Sequence, residues 1–413
     1  MISALRERFP DLPASILWKT DLLFQGVRYT EELEQASAEG AAPNYWPYRK
    51  RDAGGRTHPV EVPYLFQLEG GAVARVRVDD RSPMSVRREN KGAPFRLFEN
   101  DHELCAVSFV QAHAWHKFRT SDGASNYEAG VEQLGDMLVV NVTPGCEYFT
   151  VRKRCAFCGY GRFSPRSEAL GQQPGKILPD PATIKRLGEV LHAAAESGEA
   201  RHVYLTGGST LSVDSEAERF LPIVETARRA VGDKLRVTCG SGALDRAGEV
   251  RLRDAGADSC CFNLEVWDPA TFEAVCPGKA GYVGRDLWIQ GLLDAVGVFG
   301  RGNVASAFVA GVELLPPAPG MTPNQMLASI LEGASFLLDR GIMPLYSPLW
   351  PVEGTAYKAD DGLSPELYIQ LESDICRLRQ NRDFPVPSWL ICPGCSYMLL
   401  EVDFDSAFGL LEQ

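Results

Sequence analysis

Hydrophobic and polar positions follow two different rhythms along the chain. From about residue 45 to 142, short apolar runs rich in β-branched and aromatic residues alternate with Gly, Pro, Asn and Asp. The clearest of these runs are Val60–Leu68, Val73–Val78 and Leu104–Val110. Runs of this length between turn-forming residues are typical of antiparallel strands. We therefore expect a β-rich accessory region over residues 1–136.

After Cys158, apolar strand-like runs alternate with helical segments, which is the pattern of βαβ units and a parallel sheet. The predicted strands are Leu138–Val142, His202–Thr206, Lys234–Cys239, Ser259–Glu265, Val304–Val312 and Met343–Ser347. The predicted helices are Pro181–Ser197, Glu218–Val231, Tyr282–Val298 and Pro323–Arg340, the last with Thr322 as its N-cap.

About six βα units are too few for a complete eight-stranded barrel. The predicted fold class is therefore α/β, with a partial (β/α)6 TIM-like barrel over residues 137–350. From about Pro385 the chain returns to irregular, cysteine-bearing sequence, and residues 351–413 are expected to cap the barrel. In parallel barrels the chemistry lies at the carboxyl ends of the strands, so the residues after each strand are the candidates for function.

Composition and charge exclude several classes of protein. The chain has 413 residues, 45% of them hydrophobic and 23% charged, which excludes disorder and a disulfide miniprotein. Its net charge of −12 makes nucleic acid an unlikely partner. The chain contains no apolar stretch of membrane-spanning length, and its first residues lack the apolar core of a signal peptide. We expect a cytoplasmic protein without a membrane partner, whose eleven cysteines are thiols, metal ligands or reactive groups.

Three cysteines follow the first predicted barrel strand. Cys146, Cys155 and Cys158 lie in one strand-to-helix loop. Three thiolates can hold three irons of a [4Fe-4S] cluster and leave the fourth iron open to another ligand. A structural zinc site would need a fourth Cys or His nearby, and the next histidine is His192. The loop therefore favours a catalytic cluster over structural zinc or three unrelated core cysteines.

This loop resembles that of the radical SAM superfamily. The family usually has three residues between its first two cysteines, whereas eight lie between Cys146 and Cys155. The second half of the loop is intact, because two residues separate Cys155 from Cys158 and the aromatic Phe157 precedes the last cysteine. The resemblance implies a [4Fe-4S] cluster whose free iron binds the amine and carboxylate of S-adenosyl-L-methionine (SAM).

The strand ends extend the resemblance. Gly207, Gly208 and Ser209 follow the second strand and look like the family's GGE motif with Ser in place of Glu. Glycines allow close backbone approach, which suits a carbonyl that binds the methionine ammonium of SAM; a plain tight turn is the alternative. Asn263 and Glu265 end the fourth strand and are similar to ribose-binding residues of the biotin-synthase-like branch. Their i, i+2 spacing would put both side chains on one strand face.

Four further positions match family contacts with SAM. Arg285 resembles an arginine that pairs with the methionine carboxylate in some relatives, although a surface ion pair would also explain it. Tyr160 stands where the family often places an adenine contact, and Ser241 follows the third strand. Gly311 ends the fifth strand, which is like the one that borders the adenine.

The resemblance implies an enzyme that reductively cleaves SAM to a 5′-deoxyadenosyl radical, which abstracts hydrogen from a small-molecule or peptide substrate. It also implies an external one-electron reductant of the flavodoxin or ferredoxin type. The alternatives are a noncatalytic Fe-S or zinc protein that uses the same cysteines, and an ordinary TIM-barrel hydrolase or lyase with incidental cysteines. For the latter we find no nucleophile–base pair or metal set in the sequence.

Other features leave more than one interpretation open. Cys276 and Lys279 belong either to a plain Pro-Gly loop or to the edge of the cavity. Cys392 and Cys395 have metal-ligand or redox spacing, and with Cys376 or Cys276 they could hold an auxiliary cluster. Packing is the plain alternative for these cysteines. His113 and His116 are expected to be partly buried polar residues, and Tyr346 and Trp350 either line the cavity or pack in the core.

Overall fold

The structure of the chain is a computed structural model. The structure describes residues 2–43, 48–52, 54–143, 145–159, 178–350, 352, 354–358 and 362–410. Within those ranges, no helix combines the length and the apolar character that a membrane span requires.

The N-terminal part contains helices as well as the expected strands. The helices are α1 (Ile2–Arg8), α2 (Ala14–Gln25) and α3 (Glu31–Ala38). The strands are β1 (Tyr48–Arg51), β2 (Thr57–Val60), β3 (Leu65–Leu68), β4 (Val73–Arg75), β5 (Met84–Arg87), β6 (Phe95–Glu99) and β7 (His102–Phe109). An antiparallel sheet has the order β4-β3-β7-β6-β5, and β1 pairs with β2 in a separate hairpin.

Helices α1–α3 were not predicted from the sequence, and the chain forms two strands where one was expected. The predicted strand Val60–Leu68 is interrupted between Val60 and Leu65. Pro63 lies in this gap, and a proline cannot donate a ladder hydrogen bond. Leu22 and Leu33 of the unpredicted helices are fully buried in the same core as β3 residue Phe66. The helices are therefore part of the hydrophobic core of this region.

The second sheet has six parallel strands, as predicted. These are β9 (Met137–Val140), β10 (His202–Thr206), β11 (Arg236–Gly240), β12 (Ser259–Cys261), β13 (Val304–Ala310) and β14 (Ile342–Pro348). They lie in sequence order, and β8 (Val131–Leu134) adds an antiparallel strand beside β9. Sequential parallel order with helical crossovers is the topology of a TIM-like barrel wall, and six strands make a partial one.

Helices connect these strands, and four of them lie near predicted positions, although the one predicted from Glu218 begins five residues earlier. They are α4 (Glu147–Thr150), α5 (Pro181–Ser197), α6 (Val213–Val231), α7 (Arg246–Asp254), α8 (Pro269–Val275), α9 (Arg285–Phe299) and α10 (Pro323–Asp339). Thr322 caps α10 as predicted, and Gln325 completes a capping box. The helix expected to start at Tyr282 starts at Arg285, because Gly284 has a positive φ of 88° after a short π-helical turn.

The C-terminal segment is helical rather than irregular. It contains α11 (Pro365–Gln380), α12 (Pro393–Ser396) and α13 (Glu401–Ala407). Ser364 caps α11, and Pro365 occupies the first turn, where its missing N–H costs nothing. Buried residues of α11, such as Leu371 and Ile375, belong to the same core as the barrel. Lys19 of α2 bonds the Ser396 carbonyl oxygen at 2.7 Å and Asp403 at 2.6 Å, so the two ends of the chain are joined.

Candidate functional site

The loop with three cysteines begins directly after β9. Cys146 is half-buried at the N-cap of α4, Cys155 is buried, and Cys158 is half-buried. The eight residues between Cys146 and Cys155 form α4 and a turn in which Arg152 has a φ of 58°. The unusual spacing is therefore one inserted helical turn. Tyr160 lies outside the described residues.

The glycine turn after β10 packs against this loop. A Cβ on Gly208 would overlap the Gly145 carbonyl oxygen and the Cys146 side chain. A Cβ on Gly207 would lie 2.7 Å from Thr143 Oγ1. The Glu147 amide donates a 2.9 Å hydrogen bond to the Ser209 carbonyl. Only glycine fits here, so the turn and the cysteine loop form one surface.

Glu216 is a buried residue of this region that the sequence analysis missed. Its carboxylate accepts hydrogen bonds from the Thr210 amide at 3.0 Å and from the Gly242 amide at 2.6 Å. It also pairs at 2.6 Å with Arg219, which in turn donates to the Gly208 carbonyl. Glu216 thus connects the turns after β10 and β11. An acidic residue in the first turn of a helix was its only sequence signal, and such residues are common at helix N-termini.

Ser241 lies in the second of these turns. Its side chain is buried, and its hydroxyl donates to the Gly242 carbonyl at 2.9 Å. The residue is therefore close to Glu216, although its hydroxyl is engaged within its own turn.

The Asn263 backbone carbonyl and the Glu265 carboxylate both accept hydrogen bonds from the ammonium of Lys279. The strand ends at Cys261, earlier than predicted, and Glu265 has a φ of 74°. Lys279 donates to the Asn263 carbonyl at 2.5 Å and to the Glu265 carboxylate at 2.9 Å. The Asn263 side-chain oxygen accepts from the Ala307 amide at 3.3 Å. The backbone turns left-handed at Glu265 before α8, although the Glu265 amide still donates to the Ala307 carbonyl of β13.

Lys279 is buried, and its ammonium lies 4.3 Å from the centre of the Trp288 ring. Burial lowers the pKa of Lys279, but the charge and the hydrogen bond of the Glu265 carboxylate oppose this effect, and the net shift is upward. The lysine is therefore a fixed positive charge beside the cysteine loop.

Cys276 lies next to the cysteine loop, because it contacts Cys155. Its thiol hydrogen-bonds with Cys155, and this contact together with burial raises the pKa of Cys155. The Ala156 amide donates to the Val275 carbonyl at 2.8 Å, and Gly278 packs against Tyr148. The structure thus brings the Cys276–Lys279 loop against the cysteine loop.

Arg285 begins α9, and Gly311 directly follows β13. The Arg285 guanidinium donates to the Trp267 carbonyl at 3.0 and 2.6 Å and stacks on the Trp267 ring. Gly311 has a φ of 101°, and a Cβ there would lie 2.9 Å from the Leu363 side chain. Arg285 is thus anchored to a backbone oxygen rather than to a surface carboxylate.

The remaining sequence features pack within the fold. His113 accepts a hydrogen bond from Trp115, and His116 stacks on the same indole. Tyr346 stacks on Phe308, and the Trp350 indole donates to the Leu23 carbonyl of α2.

The auxiliary-cluster set of cysteines is not assembled. Cys276 lies beside Cys155, Cys376 lies 4.0 Å from Asp405, and Cys392 is bonded to Cys395.

The residues of the cysteine loop fit an iron–sulfur cluster better than a single ion. In the part of the chain that the structure describes, only His202, Cys392 and Cys395 form a group of three or more His, Cys, Asp or Glu residues close enough to share one metal ion. The thiols of Cys146, Cys155 and Cys158 do not close around one ion in this way. A cluster instead distributes its thiolates over several irons.

Comparisons with known proteins give distant similarities. No family model matches the chain. The chain is 22% identical over 272 residues to bacteriochlorophyllide c C-7(1)-hydroxylase of Chlorobaculum limnaeum, and the match covers 64% of each protein, just under two thirds of that relative. A FeFe-hydrogenase maturase, HydG of Carboxydothermus hydrogenoformans, superposes with a TM-score of 0.43 at 13% identity, over 60% of this chain and 52% of the maturase. A radical SAM methyltransferase from Sphaerobacter thermophilus gives 0.42 at 15% identity, over 75% and 77%.

The case for a family therefore rests on this chain's own residues. The cysteine loop follows the first parallel strand, and the glycine turn after the second strand packs on it. The Asn263 and Glu265 pair follows the fourth strand, so the motifs occur in the order that the family has. In the type and order of these residues, the chain resembles the radical SAM superfamily.

Proposed function

We propose that the chain is a radical SAM enzyme, in which a reduced [4Fe-4S] cluster cleaves SAM to a 5′-deoxyadenosyl radical that abstracts hydrogen from a small-molecule or peptide substrate. The observation that carries this proposal is the packing of Gly207 and Gly208 on the loop of Cys146. That packing brings a thiolate-rich loop and a side-chain-free turn to the carboxyl ends of adjacent parallel strands. These are the positions at which such barrels bind their ligands.

Within this proposal, Cys146, Cys155 and Cys158 hold the cluster. Gly207, Gly208 and Ser209 present backbone groups to the methionine end of SAM, and Ser241 lies in the next turn. Glu216 and Arg219 hold these two turns in place, because Arg219 donates to the Gly208 carbonyl and Glu216 accepts from the Gly242 amide. A rigid, buried support of this kind keeps reacting groups in place and keeps water out.

Asn263 and Glu265 are our candidates for the ribose hydroxyls of SAM. The Glu265 carboxylate is held by Lys279 at 2.9 Å, and it retains acceptor capacity because a carboxylate has about four lone-pair sites. Lys279 prevents this carboxylate from being an uncompensated buried charge. Arg285, Tyr160 and Gly311 complete the proposed set for the methionine carboxylate and the adenine.

The substrate and the electron donor belong to the proposal as well. The bacteriochlorophyllide hydroxylase similarity is compatible with C–H chemistry on a small organic molecule, but it extends over only part of that relative. We propose a small-molecule or peptide substrate and an external one-electron reductant of the flavodoxin or ferredoxin type.

The test is anaerobic reconstitution, followed by EPR of the reduced protein with and without SAM and by mass-spectrometric detection of 5′-deoxyadenosine. A [4Fe-4S] signal that changes on addition of SAM, with nucleoside formed, is the expected result. Cys155→Ser should abolish both, whereas Cys105→Ser, a buried thiol of the N-terminal sheet, should leave both intact. A cluster indifferent to SAM would favour the noncatalytic Fe-S alternative and overturn the proposal.

A further inference from the structure

A second group of metal-ligand side chains lies at the opposite end of the parallel sheet. His202 is the first residue of β10, and Gly207 follows its last. At about 3.3 Å per residue, the five residue steps from His202 to Gly207 separate the two places by roughly 16 Å. His202, Cys392 and Cys395 are all buried, and their ligand atoms lie within 4.8 Å of one another. This group does not contact the cysteine loop, so its chemistry is separate from the proposed radical site.

The histidine is oriented toward the two sulfurs. His202 Nε2 hydrogen-bonds with Thr238 Oγ1 at 2.7 Å, and Thr238 bonds with Ser259 at 2.6 Å. The other ring nitrogen, Nδ1, lies 3.3 Å from Cys395 Sγ. Metal-binding imidazoles have this arrangement, in which one nitrogen binds the metal and a hydrogen bond to the other fixes the ring.

The backbone holds the two cysteines in a knuckle. The Cys395 amide donates to Cys392 Sγ at 3.1 Å, and the Gly394 amide donates to Asp136 at 3.3 Å. A side chain at Gly394 would overlap the Leu134 carbonyl, so the knuckle packs directly on the turn between β8 and β9. The structure contains Cys392 and Cys395 as a disulfide. The same positions would present two adjacent thiols after reduction.

We propose that the reduced form of this group binds one Zn²⁺ through Cys392, Cys395 and His202, and thereby attaches the C-terminal segment to the barrel. Two thiolates and an imidazole are ligands that Zn²⁺ prefers, and a two-residue spacer between cysteines is the usual knuckle. Binding releases the two thiol protons to solvent, so no electron is transferred in that step.

The fourth coordination position is open to a weak ligand. Among the described residues no further Asp, Glu, His or Cys joins the group. A water molecule would complete a tetrahedral site, and the Met137 thioether, 3.9 Å from Cys395 Sγ, would pack beside it.

The experiment measures zinc in full-length protein that is purified without oxidant and kept in a phosphine reductant. The phosphine takes up oxygen from water as it reduces the disulfide to two thiols. The zinc content is measured by inductively coupled plasma mass spectrometry. The sample is protein whose cysteine loop has first been loaded with iron. We expect one zinc per chain in the wild type and none in Cys392→Ser/Cys395→Ser. Cys376→Ser, a buried thiol outside the group, should keep the full equivalent.

A Co²⁺ titration of the wild type covers the case in which the double variant does not fold. Sulfur-to-cobalt charge-transfer absorption should appear at one equivalent, and it should persist in Cys146→Ser/Cys155→Ser/Cys158→Ser, whose own loop cannot bind the ion. Absence of zinc from the reduced wild type, or of the cobalt spectrum from the loop variant, would overturn the proposal. So would mass-spectrometric detection of an intact Cys392–Cys395 disulfide in protein isolated without oxidant.

Discussion

At the scale of single residues, Glu216 shows how a buried charge organises the edge of the barrel. Its carboxylate accepts hydrogen bonds from two turns and pairs with Arg219. A fully buried carboxylate is stabilising only when such partners are present. The positions of Gly208 and Gly242 therefore depend on a side chain that would not itself touch a ligand.

Glu216→Gln should destabilise the protein by about 2–4 kcal/mol, because the amide group cannot accept all of these hydrogen bonds and leaves Arg219 buried without its counter-charge. Chemical denaturation measures this free energy of unfolding. Glu218→Gln, an exposed residue of the same helix that pairs with Arg251, should cost less than about 1 kcal/mol. Equal costs for the two variants would contradict the structural role of Glu216.

Glu249 makes the stability of the fold depend on pH. It is fully buried on α7, and both of its carboxylate oxygens lack a hydrogen-bond partner in the described structure. Burial, followed by the nearby charge of Asp294, raises the pKa of Glu249 from 4.5 to about 8. The folded state therefore binds more protons than the unfolded state between these values. Stability is fully present below pH 4.5 and decreases as the pH rises through about 8.

Glu249→Gln removes this titration. Relative to the wild type, the variant should gain at least about 1.4 kcal/mol between pH 5 and pH 8.5, the value of one pKa unit. Thermal unfolding at the two pH values measures the change. Glu273→Gln, at an exposed position of α8, serves as the control and should follow the wild type. A constant difference between Glu249→Gln and the wild type would mean that the residue does not titrate in this range.

At the scale of elements, the turn after β10 and the cysteine loop behave as one unit. Gly208→Ala would insert a methyl group where the Gly145 carbonyl and Cys146 already lie. We expect the variant to lose most of its cluster iron while retaining its circular dichroism spectrum. Gly281→Ala, where a Cβ meets no atom within 4 Å, should retain the iron. Full iron content in Gly208→Ala would show that the two segments do not need this contact.

The elements that the sequence predicted are those whose signal is local. Each barrel strand is a short apolar run between turn residues, and Thr322 followed by Pro323 marks a helix start without any tertiary information. The helices α1–α3 were not predicted, because the β-rich pattern of the residues that follow them was extended to the whole N-terminal region. The end of β12 was also placed too late, since a left-handed residue at Glu265 carries no apolar signal.

The site was predictable only where residue type and strand order suffice. The three cysteines and two glycines follow strands, so topology alone brings them together. Glu216 depends on a contact 26 residues away along the chain, and nothing local distinguishes it from an exposed charge. Lys279 was a candidate for the edge of the cavity, but its bonds to Asn263 and Glu265 could not be predicted from the sequence. The eight-residue spacing looked like a departure from the family, and its explanation as helix α4 required coordinates.

At the scale of the whole molecule, the N-terminal helices and the C-terminal segment are held together by a buried ion pair. Lys19 is completely buried and lies 2.6 Å from Asp403. Burial raises the pKa of Asp403, and Lys19 opposes that shift. The remaining acceptor of Lys19, the Ser396 carbonyl, also belongs to the C-terminal segment.

Lys19→Met should therefore destabilise the protein by about 3–5 kcal/mol, because it leaves a buried carboxylate without its counter-charge. Limited proteolysis should cut the C-terminal segment faster in this variant. Lys185→Met removes an exposed i, i+4 pair and should change the free energy of unfolding by about 0.5 kcal/mol or less. A Lys19→Met protein as stable and as protease-resistant as the wild type would show that other contacts suffice to hold the segment.

The Lys19–Asp403 pair also has a consequence for synthesis on the ribosome. The partners are 384 residues apart, so at about 5–20 residues per second the second appears roughly 20–80 s after the first. During that interval the lysine of α2 stays hydrated, and the helix cannot adopt its final packing. Leu22 can pack against Phe66 of the N-terminal sheet early, but the part of α2 that faces the C-terminal segment stays exposed in nascent chains until translation is almost finished, which makes that part a candidate for chaperone binding during elongation.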